Sequence, residues 1–175
     1  AREAARSVLV SGSVDFTPNL QLLDTQTLED LVAQGQTGDI LTLFGPYVER
    51  ILINQTDPNR ATDNGERSSI EFPHPFFKDL SVRKAFAYAV DRERISALYG
   101  PAGRATSNML VSPSIYASPN TDYEFNLEKA AEILDEAGWT DTNGDGIRDK
   151  DGIKMSVVFQ TSVNKERQEA QRIVK

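Results

Sequence analysis

The sequence of 175 residues contains no cysteine, which excludes a disulfide framework and any chemistry that depends on a thiolate. It also contains a single histidine, His74, which lies between two prolines. One histidine without cysteine cannot build a zinc site, and a lone base without a nucleophile does not indicate a hydrolase. We therefore predict that His74 is a structural loop residue ahead of a helix and that the protein is not an enzyme.

The chain also has few basic residues and no long apolar run. It carries 19 Lys and Arg against 26 Asp and Glu, a formal net charge of −7. Nucleic acid and anionic lipid surfaces both require clustered basic side chains, so neither is an expected partner. No apolar run approaches the ~20 residues that span a bilayer. With 39 % hydrophobic and 26 % charged residues, the composition is that of an ordinary globular domain.

The clearest pattern is the stretch HPFFKDLSVRKAFAYAVDRERISALYG at 74–100. Its first apolar residues recur with helical spacing, at Val82, Ala85, Phe86, Ala89 and Val90. This spacing predicts a helix with one apolar stripe that faces the core. Asp79 is placed to cap its first turn, and Asp91 to cap a second short helix that Gly100 closes.

Strands and further helices are predicted on both sides of this stretch. Apolar, β-branched runs at 40–44 and 48–54 and an alternating pattern at 155–159 predict strands. Asn126 and Asn164 are placed to cap two further helices. Helices that alternate with strands predict an α/β fold, here a mixed sheet with flanking helices.

The stretch at 74–100 resembles the signature of the extracytoplasmic solute-binding proteins of ABC transporters, in the oligopeptide, dipeptide and nickel-binding family known as family 5. Four other segments match that family's pattern in the same order: SGSVDF at 11–16, ILINQTDP at 51–58, EKAAEILDEAGW at 128–139 and GDGIRDKDG at 144–152. The resemblance implies a two-lobed fold like that of periplasmic binding proteins. We expect the chain to be a fragment of this fold, with 1–37 the end of the first lobe and hinge region and 38–175 the first part of the second, C-terminal lobe.

The resemblance also implies a function. It implies the substrate-binding component of an ABC importer, which captures peptides or a related small solute in the cleft between the lobes and delivers it to the membrane permease. Peptides, metal chelates and oligosaccharides all remain open as ligands, and no cofactor is required. The expected location is periplasmic or extracytoplasmic, with membrane association through the transporter. A fragment of such a sheet has an unpaired edge, so we also expect self-association.

The candidate ligand-binding residues follow Gly45-Pro46 and are Tyr47, Glu49 and Arg50. An aromatic face, a carboxylate and a guanidinium match the apolar, ammonium and carboxylate groups of a peptide-like ligand. The resemblance implies that the strand leading to Asn54 borders the ligand cleft. The competing interpretation is that Glu49 and Arg50 are ordinary solvated surface residues.

The segment DTNGDGIRDKDG at 141–152 resembles a calcium-binding loop. Four oxygen-bearing side chains occupy positions 1, 3, 5 and 9 of an EF-hand-type loop: Asp141, Asn143, Asp145 and Asp149. Position 12 should be a bidentate Glu but is Gly152, so the loop loses two oxygen ligands. The competing interpretation is a polar turn. A structural or interaction module stabilised by Ca²⁺ is therefore the alternative function.

Overall fold

The structure, a computed structural model, describes residues 11–16, 30, 33, 41 and 43–175. From residue 43 onward its helices in chain order are α1 (Leu80–Tyr88), α2 (Arg92–Ala97), α3 (Leu127–Glu136) and α4 (Lys165–Val174), with short 3-10 turns at Gly100–Ala102 and Ser114–Tyr116. The two described strands, β1 (Asp149–Lys150) and β2 (Ile153–Lys154), form an antiparallel hairpin. No helix in the described part of the chain is long and apolar enough to cross a bilayer.

Helix α1 begins as its sequence predicts, and the first half of its apolar stripe packs in the core. The Ser81 amide donates to Asp79 Oδ1 at 2.8 Å, so Asp79 is the cap. Val82 and Ala85 are buried in the core. The stripe is less deeply buried further along, because Phe86 is only half-buried and packs edge-on against Phe77 with ring centroids 5.0 Å apart. The first half of the stripe therefore faces the core and the second half borders an open groove.

Helix α3 packs across α1 and ends in a turn that closes the core. Gly138 has φ +78°, and its amide donates to the Asp135 carbonyl at 2.9 Å. The next amide, of Trp139, donates to the Leu134 carbonyl at 2.8 Å, which completes a Schellman motif. This turn folds Trp139 back onto the core. The buried apolar residues are Phe76, Phe77, Val82, Ala85, Ala130, Leu134 and Trp139.

The predicted mixed sheet is not formed in the described part of the chain. The described residues of 40–44, 48–54 and 155–159 lie outside any strand, and the hairpin of β1 and β2 is the whole sheet there. A strand takes its hydrogen bonds from a neighbouring segment, and these runs have no such neighbour among the described residues. The predicted first-lobe segment, 1–37, lies outside the described residues except for 11–16, 30 and 33.

Helix α4 packs against α2 and places its first turn near residues 43–54. Asn164 caps it as predicted, since the Arg167 amide donates to Asn164 Oδ1 at 2.9 Å. One turn further along, the side-chain amide of Gln171 donates to the Phe159 carbonyl. These bonds connect α4 to the segment before it and bring Arg167 within reach of Glu49.

Candidate functional site

The candidate ligand-binding residues lie in residues 43–54, which we call the exposed segment. The segment is held near both ends. The Arg104 guanidinium lies 5.7 Å from the centre of the Phe44 ring, and Ile53 packs against the core. Between these points Tyr47 is 96 % exposed and Leu52 is 78 % exposed. The segment therefore presents its middle to solvent, as a ligand-contacting element must.

Glu49 already has a partner within the chain. Arg167 Nε donates to Glu49 Oε2 at 3.1 Å, and Arg167 Nη2 donates to Oε1 at 2.6 Å. This is a bidentate pair between residues 118 positions apart, and it connects the exposed segment to α4. The hydrogen bond and the negative charge of Glu49 raise the pKa of Arg167. Sequence analysis did not identify Arg167, because its partner is so far away along the chain.

Tyr99, in the turn after α2, lies in the same electrostatic neighbourhood. Burial raises the pKa of its phenol, and the charge of Glu49 raises it further, whereas Arg167 acts in the opposite direction. We call Glu49, Tyr99 and Arg167 the Glu49 cluster. The cluster combines a carboxylate, a guanidinium and the phenol of a half-buried tyrosine.

Tyr47, Glu49 and Arg50 form no hydrogen bond or ion pair with one another. Glu49 is occupied by Arg167, whereas Arg50 is exposed and forms no hydrogen bond with any described residue. If the segment pairs as a strand in the complete protein, alternation places Arg50 on the face opposite to Tyr47 and Glu49. Their role in ligand binding therefore stays a prediction, and Arg167 joins them as a candidate.

In the 141–149 loop the carboxylates predicted to bind calcium accept hydrogen bonds from the chain itself. Asp141 Oδ1 accepts from the amides of Gly144 and Asp145, at 2.8 and 3.1 Å, and its Oδ2 accepts from Gly146 at 2.8 Å. Asn143 Oδ1 accepts from the Asp145 amide at 3.0 Å. These are the bonds of a polar turn, in which Gly144 and Gly146 adopt positive φ.

The other two predicted calcium ligands also have partners. Asp145 forms an ion pair with Lys154, and this hydrogen bond is the main reason why the pKa of Asp145 is lowered. The buried Asp149 carboxylate accepts the single hydroxyl hydrogen of Thr142, whose Oγ1 lies 2.8 and 2.9 Å from the two carboxylate oxygens. Among the described residues, no group of three carboxylate or imidazole side chains is arranged to hold a metal ion. Calcium binding stays a prediction with no structural support.

His74 has the structural role that its sequence context predicts. Its side chain is buried, and its Nδ1 accepts from the amides of Phe76 and Phe77 at 3.3 and 3.2 Å. Its own amide donates to the Gln55 carbonyl at 2.8 Å. Burial lowers the pKa of the imidazole, and the charge of Asp57 acts in the opposite direction. His74 therefore connects the segment at 55–57 to the approach to α1.

A concave surface lies between α1 and α3, and Val174 of α4 also lines it. It encloses about 290 Å³, and its lining is apolar apart from Arg148. Arg148 is already engaged, because it forms an ion pair with Asp135 and donates to the Trp139 carbonyl at 2.6 Å. A peptide-like ligand needs several convergent polar groups, so this groove is a poorer candidate than the exposed segment.

Known proteins with similar sequences identify the family of the chain. The family described as "Bacterial extracellular solute-binding proteins, family 5 Middle" matches residues 2–175. The chain is 41 % identical over 90 residues to the oligopeptide-binding protein AppA of Bacillus subtilis, a match that covers 49 % of the chain and 17 % of AppA. It is 33 % identical over 90 residues to the oligopeptide-binding protein OppA of Lactococcus lactis subsp. lactis, with 49 % of the chain and 15 % of OppA covered.

The matched part of the chain thus spans about one sixth of the length of these relatives. No solved structure matches the chain. The segments quoted from 11–16 to 144–152 all fall inside the family match, which extends over nearly the whole sequence. The chain therefore belongs to family 5 of the bacterial extracellular solute-binding proteins.

Proposed function

We propose that this chain is part of the substrate-binding component of an ABC importer, which captures oligopeptides or a related small solute and delivers them to a membrane permease. The observation that carries this proposal is the family match over residues 2–175. The names of AppA and OppA support oligopeptides as the ligand class. The extracellular family supports a location outside the cytoplasm. A protein that hands over its ligand unchanged needs no catalytic group.

The proposed site is a cleft between two lobes that close by a hinge motion. We assign residues 1–37 to the end of the first lobe and hinge region and 38–175 to the first part of the second lobe. The core formed by α1 and α3 then belongs to the second lobe, and the exposed segment faces the cleft. Its exposed middle supports this placement, because a cleft wall must offer side chains that are free before the ligand binds.

The complete protein that contains this chain provides the test. Isothermal titration calorimetry should detect binding of a defined pentapeptide with a dissociation constant in the range of about 1 µM, or ~8 kcal/mol of binding free energy. Tyr47→Ala should weaken this binding about tenfold through loss of a ligand contact. The matched control is Tyr116→Ala, which removes a tyrosine that is 62 % exposed and far along the chain from the segment.

Two results would contradict the proposal. If the pentapeptide produced no heat while an oligosaccharide or a nickel chelate bound, the ligand class would be wrong. If Tyr47→Ala and Tyr116→Ala bound the peptide equally well, the exposed segment would not border the cleft.

A further inference from the structure

The ion pair of Glu49 and Arg167 leaves part of the guanidinium unused. A guanidinium carries five N–H donors, and Glu49 accepts from only two of them, one on Nε and one on Nη2. Both hydrogens on Nη1 and the second on Nη2 have no acceptor among the described residues. The side chain of Arg167 is 48 % exposed, so a ligand can reach these donors.

The same pair changes what Glu49 can offer. Both of its carboxylate oxygens already accept from Arg167, and the positive charge of the guanidinium neutralises it. Each carboxylate oxygen keeps a further lone pair and the two charges neutralise each other, so charge alone favours neither an ammonium nor a carboxylate at this pair. A guanidinium held in a fixed orientation, in contrast, loses less conformational entropy when it binds an anionic group. The feature that points to a ligand carboxylate is therefore the fixed orientation of the three remaining N–H donors of Arg167.

Another pair in α4 shows what a purely local ion pair looks like. Arg172 pairs with Glu169 three residues before it in the same helix. That pair adds nothing to the exposed segment, whereas the pair of Glu49 and Arg167 joins the segment to α4. The two arginines thus differ in their relation to the candidate site, although each belongs to α4, pairs with a glutamate and is largely exposed.

From these observations we infer that Arg167 is a ligand-binding residue that recognises a carboxylate of the peptide, and that Glu49 is a positioning residue that holds its guanidinium. This inference rests on the proposed function. It reassigns Glu49, which sequence analysis predicted to be the partner of a ligand ammonium.

The test uses the complete protein and one pentapeptide in two forms, with a free carboxyl terminus or with a carboxyl-terminal amide. By titration calorimetry, the wild-type protein should bind the free acid about tenfold more tightly, as expected for a hydrogen bond between charged groups. Arg167→Gln should remove this preference and leave affinity for the amide within about threefold. Arg172→Gln, the matched control, should keep the preference. Arg167→Lys keeps the positive charge but loses the planar pair of N–H donors, so it should show an intermediate preference for the free acid.

A second pair of peptides, with a free or an acetylated amino terminus, tests the role of Glu49. Glu49→Gln should reduce the preference for the free acid and should weaken both amino-terminal forms equally. If Glu49→Gln weakened only the form with a free amine, Glu49 would bind the ammonium and the inference would be wrong.

Other outcomes separate the inference from the proposed function. If Arg167→Gln weakened the acid and the amide by the same factor, or behaved like Arg172→Gln, Arg167 would only connect two segments. The inference would then fail while peptide binding stood. If the wild-type protein bound none of the peptides, both would fail. Thermal unfolding of each variant, followed by circular dichroism, verifies that the compared proteins are folded.

Discussion

At the scale of single residues, His74 shows how one nitrogen can hold a turn. Its Nδ1 accepts two backbone amide hydrogens, from Phe76 and Phe77, and it can do so only while it carries no proton itself. Protonation would break both bonds and place a charge in a cluster of aromatic rings, of which Phe76 lies 4.5 Å away.

The stability of the chain should therefore fall in mild acid. Because burial lowers the pKa of His74 in the fold below its ordinary value of 6.5, the folded state favours the neutral imidazole. Its contribution is complete above pH 6.5 and is lost as the pH falls through the lower, folded pKa. A single proton changes the free energy of unfolding by at most ~1.4 kcal/mol per pH unit. Urea unfolding at several pH values between about 7 and 5 measures this loss.

His74→Asn is the informative variant, because an amide oxygen can accept the same two bonds and does not titrate. The free energy of unfolding of this variant should depend less on pH in this range, and the dependence that remains should come from carboxylates. If the wild-type chain and His74→Asn lost stability in parallel, the imidazole would not be the group responsible.

At the scale of elements, the 141–149 loop is a turn that is complete without a metal ion. Ca²⁺ would have to displace Lys154 from Asp145 and backbone amides from Asp141. We therefore expect no change in melting temperature when Ca²⁺ or a chelator is added. A site with a dissociation constant of about 0.1 mM would add ~2.7 kcal/mol at about 10 mM Ca²⁺, which calorimetric melting would detect.

Asp145→Ala separates the two interpretations of this loop. Its melting temperature should be the same with and without Ca²⁺, as for the wild-type chain. A rise with Ca²⁺ in the wild-type chain that Asp145→Ala abolished would establish a calcium site and restore the alternative function.

Whether the hydrogen-bond partners of an element are near or distant along the chain explains which elements could be predicted from the sequence. The caps at Asp79, Asp91, Asn126 and Asn164 were all predicted, and each accepts a hydrogen bond from the first turn of its helix. A helix satisfies its backbone within itself, so local sequence suffices to place it. The runs at 48–54 and 155–159 need a neighbouring strand, which local sequence cannot supply.

The residues of the candidate site likewise differ in whether local sequence was enough to identify them. Tyr47, Glu49 and Arg50 could be proposed from their residue types and the family resemblance. Arg167 could not, because its local context is only the third position of a capped helix. Tertiary structure alone brings it to Glu49.

At the scale of the whole molecule, the described part of the chain exposes apolar side chains on two irregular segments. In the exposed segment these are Leu43 and Leu52, and after the hairpin they are Val158 and Val163, all 78 % exposed or more. Unpaired segments of this kind favour pairing with another chain. We therefore predict that the isolated 175 residues associate at concentrations of about 100 µM.

Leu52→Lys should reduce this association, because a charge on an unpaired edge opposes strand pairing. Ile115→Lys is the matched control, since Ile115 is 80 % exposed but lies in the 3-10 turn at Ser114–Tyr116. Light scattering after size-exclusion chromatography measures the mass of each variant. A strictly monomeric wild-type chain, or equal effects of the two lysines, would argue against pairing through the exposed segment.

The turn that folds Trp139 back onto the core gives the chain an internal optical probe. Trp139 is the only tryptophan in the sequence and is 4 % exposed. Its indole Nε1 donates to Asp79 Oδ2 at 3.4 Å, so the ring lies at the junction of α3 with the start of α1. Its fluorescence emission should lie at the short wavelengths of a buried indole and shift to longer wavelengths when these helices separate. In a ligand titration followed by tryptophan fluorescence, the emission of this chain would therefore report changes in the packing of its core.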